Sequence, residues 1–122
     1  MENSTLRYVS GLLLVSSAFT HVAQVFFVGT ESHSLVAAGY GVLYGIVGVG
    51  LLLTERNRPL LILGAVLPAI GGVLGSIRFV GMLTVEDTVN YFIIYHLLVD
   101  VIVVPSCLVL YRRLFGGWPL RS

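Results

Sequence analysis

The chain has no lysine, and its 122 residues include a single cysteine, Cys107. One cysteine excludes an intramolecular disulfide and any paired-thiol redox motif, and it reads as a small buried hydrophobe. Charge of either sign is scarce. Seven basic residues, all arginine, and six acidic ones make up 11% of the sequence and leave a net charge of +1. No basic patch is interleaved with aromatics, so nucleic acid is not an expected partner.

Apolar residues are abundant instead. They account for 57% of the chain, with a mean hydropathy of +0.96, far outside the range of an ordinary soluble domain. Four apolar runs, 6–28, 35–54, 60–83 and 89–111, each approach the roughly 20 residues that a bilayer crossing needs. What lies between them is too short for a soluble catalytic domain. The fold class expected is therefore all-α: a single membrane domain, polytopic, built as a bundle of four transmembrane helices. Arg7, Arg56, Arg58, Arg112, Arg113 and Arg121 lie at the N-terminus, between runs two and three, or at the C-terminus, whereas Glu31, Glu86 and Asp87 lie in the other two loops. The positive-inside rule then places both termini in the cytoplasm of a multi-pass protein of the cell membrane.

Against this background the polar residues inside the runs carry the information. His96 and Asp100 are four apart, so they share one face of the fourth helix, and that face continues through Val103 to Cys107. Intramembrane ionisable residues are costly and commonly mark function. Ser10, Ser17, Thr20, His21 and Gln24 recur at helical spacing along the first helix. The second helix carries Gly41, Gly45 and Gly48 on one face, flanked by Tyr40 and Tyr44, and the third carries Gly64, Pro68, Gly71, Gly75 and Arg78 on one stripe. Small residues on such stripes favour close helix packing. His33, in the first outer loop, reads as solvated.

At a rise of about 1.5 Å per residue, His21, Gln24, Arg78, His96, Tyr40 and Tyr95 fall in the outer half of the bilayer, with Tyr44 and Asp100 nearer its middle. Four helices thus send polar groups to a similar level, which predicts one shared site open to the outside. Arg78 and Asp100 are expected to interact there, directly or through His96 or water. Three uses are compatible with this set. His21 and His96 could be an axial pair for haem b with Arg78 as a propionate partner, or the same groups, with Gln24, Tyr44 and Tyr95, could hold a quinone. Asp100 could instead be the coupling carboxylate of a small proton-coupled transporter, although the acidic residue that small multidrug exporters carry in their first helix is absent. The network could also be purely structural, fixing helix register in an accessory subunit.

The opening LRYVSGLLLVSSAFTHV, the glycine-rich helices and the segment RPLLILGAVLPAIGGVLG resemble the small four-helix membrane proteins grouped as DoxX-like. That resemblance spans nearly the whole chain as an apolar pattern with scattered Gly, Arg and His. It implies a membrane subunit, as a homo-oligomer or within a larger membrane complex, associated with oxidoreductase partners that are in some members quinone-linked. It carries over no catalytic residue. The function expected is a ligand-binding or electron-transfer-associated subunit rather than a free-standing enzyme.

Overall fold

The computed structural model describes residues 2–27, 29 and 32–118, with backbone alone at 32 and 33. Four helices follow one another: α1 (Asn3–Phe27), α2 (Ser32–Leu53), α3 (Arg58–Thr84) and α4 (Tyr91–Phe115). Each is long and apolar enough to cross a membrane. The side chain of His33, together with Glu31, Arg121 and the end of the first apolar run at Val28, lies outside the described residues.

Local chemistry sets the helix ends. Asn57 caps α3 by accepting from the Leu60 amide at 3.1 Å, and Pro59 sits in the first turn, where no amide donor is required. Asn90 caps α4 by accepting from the amides of Phe92 and Ile93, so α4 begins two residues after the apolar run does. At the far end Gly116 adopts φ 77°, a left-handed conformation that glycine tolerates without a Cβ penalty, and its amide closes onto the Arg112 carbonyl at 2.9 Å.

The end of α2 is closed differently. The charge pattern counts Arg7 as an N-terminal charge, and its side chain, 8% exposed, runs into the bundle. Its guanidinium donates to the carbonyls of Leu51 (2.8 Å), Leu52 (3.0 Å) and Thr54 (3.4 Å). Those carbonyls at the end of α2 lack helical donors and carry the negative end of its dipole, so a buried cation is stable there.

Sequence neighbours pack as two hairpins, α1 on α2 and α3 on α4. The hairpins are joined chiefly through α1 and α4, while α2 and α3 touch less. The first hairpin closes tightly because Gly48 has no side chain: a Cβ there would lie 2.9 Å from the Gly11 carbonyl oxygen. Leu14, Val47, Leu51, Leu61, Val99, Val103 and Leu110 form the apolar centre, with Cys107 fully buried among them. Outside, large apolar side chains such as Phe19, Ile46, Val73, Ile77, Leu98 and Val101 are exposed on all four helices, whereas Ser10, Ser17, His21, Gln24, His96 and Asp100 are buried. This is the inverse of a water-soluble bundle.

Candidate functional site

Where α2 and α3 diverge, toward the end of the bundle that holds the α1–α2 and α3–α4 loops, a cavity of about 220 Å³ opens. His21 and Gln24 from α1, Tyr40 and Tyr44 from α2, Arg78 from α3, and His96 and Asp100 from α4 all line it. Apolar walls come from Val36, Leu74, Ile93 and Leu97. Six of the seven site residues expected from sequence therefore converge. Tyr95 does not line the cavity. It lies behind the site, with its hydroxyl on Ser16 Oγ and its ring 6.0 Å from that of His96.

At its base the Tyr44 hydroxyl donates to Asp100 Oδ1 at 2.8 Å. Tyr44 is almost fully buried, and the Tyr40 hydroxyl beside it donates to the Leu67 carbonyl at 2.5 Å. The two tyrosine rings meet at 5.3 Å with a 56° tilt. The small-residue stripe of α3 passes directly over this pair. A Cβ at Gly71 would stand 2.5 Å from the Tyr44 oxygen, and one at Gly72 would stand 3.5 Å from Asp100 Oδ2.

On the α1 side the hydrogen-bond network assigns the histidine tautomers. Thr20 Oγ1 donates to the Ser17 carbonyl at 2.9 Å, so toward His96 Nε2, 2.7 Å away, it accepts. His96 Nε2 is therefore protonated, and its Nδ1 is left to accept from the Gln24 amide at 3.4 Å. His21 Nδ1 lies 2.7 Å from the Ser17 carbonyl and must donate to it, which leaves His21 Nε2 as an acceptor. The two imidazole rings stack in parallel, 3.6 Å apart with 5° between their planes.

That stack decides the haem question. Axial ligation needs one nitrogen of each ring aimed at the iron from opposite sides, with the porphyrin between them. Two parallel rings in face-to-face contact leave no room for either, so these histidines do not fit a haem b pair. Nor, among the described residues, does any group of three His, Cys, Asp or Glu side chains have the geometry to hold a metal ion.

The interaction expected between Arg78 and Asp100, direct or through His96 or water, does not take its direct form. Arg78 Nη1 lies 3.4 Å from Glu86 Oε1, its side chain 40% exposed at the cavity mouth. Its long stem carries the charge away from the packed stripe toward the loop, a course the spacing of α3 alone does not fix. Sequence reasoning left out Thr20 as a site residue although it stands on the α1 stripe, and it left out Asn90. Asn90 also lines the mouth, and its position just before α4 was the available signal.

Compared with family models, with curated proteins and with solved structures, the chain matches none.

Proposed function

We propose that the chain is an integral membrane protein with both termini in the cytoplasm, and that it binds a small ligand in the cavity between α2 and α3, in the outer half of the bilayer. The observation that carries this reading is the cavity itself, in which polar groups from four helices converge inside an otherwise apolar body. Its volume of about 220 Å³ lies below the ~300–1,000 Å³ of drug-sized pockets, so a ligand of single-ring size is the right scale. Arg7, Arg56, Arg58, Arg112 and Arg113 at the opposite end support the orientation. In this reading the chain acts as a ligand-binding subunit, as a homo-oligomer or within a larger membrane complex, the role that a DoxX-like resemblance implies.

A transport role is the second reading. It is favoured by Asp100, which is 5% exposed and has no cationic partner among the described residues. A carboxylate so placed suits a site that exchanges its charge partner.

Filling the cavity tests the first reading. Gly75 lines it, and a Cβ there meets the flexible end of Leu97 at 3.4 Å and Ile93 at 3.9 Å, both ordinary van der Waals contacts, so Gly75→Leu is compatible with the fold and occupies the space. A small aromatic ligand at about 100 times its Kd should stabilise the wild-type bundle by ~2.7 kcal/mol and leave Gly75→Leu unchanged. Equal stabilisation of both proteins would place the ligand elsewhere.

A further inference from the structure

We propose that the cavity is a site for a small organic ammonium ion, whose N–H groups donate to Asp100 and to the free nitrogen of His21. The inference rests on the small-ligand reading above and names the chemical class of the ligand.

The first support is an unbalanced charge. Tyr44 satisfies Asp100 Oδ1, while no partner among the described residues reaches Oδ2. Among the described residues no arginine or histidine pairs with this carboxylate, and the chain has no lysine. A buried carboxylate with no positive charge beside it is strongly disfavoured, and an ammonium ion inside the cavity supplies that charge.

The second support is the sign of the remaining polar capacity. His21 Nδ1 is committed to the Ser17 carbonyl, so the ring offers only an acceptor at Nε2. Asp100 and His21 therefore both present acceptors and call for a donor. A ligand carrying only carbonyl oxygens, such as an oxidised quinone ring, would meet like-signed dipoles there.

The third support is the wall. Tyr40 and Tyr44, whose rings meet at 5.3 Å with a 56° tilt, both line the space, and an aromatic ring within reach attracts a cation electrostatically. The charge of Arg78 at the mouth is matched by Glu86, so the approach is not dominated by repulsion. The volume of about 220 Å³ restricts the ion to a single ring or an equivalent short chain.

Equilibrium dialysis of radiolabelled benzylammonium against the protein in lipid nanodiscs tests this. Benzyl alcohol serves as the neutral analogue, and Asp100→Asn and Gly75→Leu as variants. Asparagine keeps an acceptor oxygen for Tyr44, so the fold is expected to survive. Wild type should hold benzylammonium at least about tenfold more tightly than benzyl alcohol, and Asp100→Asn should erase that preference. Gly75→Leu should abolish binding of both probes. The preference between the two probes on wild type alone decides the matter if Asp100→Asn does not fold. Benzyl alcohol binding as well as or better than benzylammonium, or a preference that persists in Asp100→Asn, would overturn the ammonium assignment and leave the cavity reading standing. Binding of neither probe to wild type would remove both.

Discussion

At the scale of single residues the site is a matter of which polar atoms already have partners. Tyr44 is the pivotal side chain, because among the described residues its hydroxyl is the one hydrogen-bond donor to Asp100 and its ring forms a cavity wall. Tyr44→Phe should cost about 1.5–3 kcal/mol, the range for a hydrogen bond to a charged group. Chemical unfolding in detergent would measure it. Gly71→Ala should act through the same contact from the opposite side. Its added methyl would stand 2.5 Å from the stiff phenol oxygen, and overpacking of this kind typically costs ~1–3 kcal/mol. Combined with Tyr44→Phe, which removes that oxygen, the glycine substitution should cost less than it does alone. Additive losses in the double variant would show that the contact does not decide the effect.

At the scale of elements, the four helices were legible from the length and hydropathy of their runs, and the polar stripes of α1 and α4 did meet. The details that the runs left open are three-dimensional. Spacing put His21 and His96 at one level but did not specify whether their rings would point at a common centre or lie face to face. The stack follows from the Ser17 and Thr20 anchors that turn each ring. Similarly, Arg7 counted as terminal charge in the sequence pattern, because nothing in α1 announces that the end of α2 lies beside it. The close α1–α2 crossing at Gly11 and Gly48 brings them together. Arg7→Met, which keeps the apolar stem but removes the donors, should therefore destabilise the bundle by about 2 kcal/mol, the upper range for a partly buried cation at a helix C-terminus. A neutral effect in unfolding experiments would mean that water closes α2 equally well.

At the scale of the whole molecule, an apolar exterior around a polar interior accounts for both the environment and the site. The two hairpins meet through α1 and α4, so the weakly packed α2–α3 side is where space remains, and the loop-end polar groups of all four helices face it. The proposed orientation rests on the arginine distribution. With Cys107 buried, Glu55→Cys should react with a membrane-impermeant thiol reagent only from the cytoplasmic side, and Thr88→Cys only from the opposite side. The measurement that bears most directly on the central claim joins that topology to the cavity. Ala37 lines the cavity on α2, so Ala37→Cys in sealed vesicles reports both access and occupancy. Its reaction with a small, impermeant, cationic thiol reagent should proceed from the non-cytoplasmic side and slow markedly when benzylammonium is present. Reaction confined to the cytoplasmic side, or a rate unchanged by any small aromatic ligand, would contradict an outward-facing ligand site between α2 and α3.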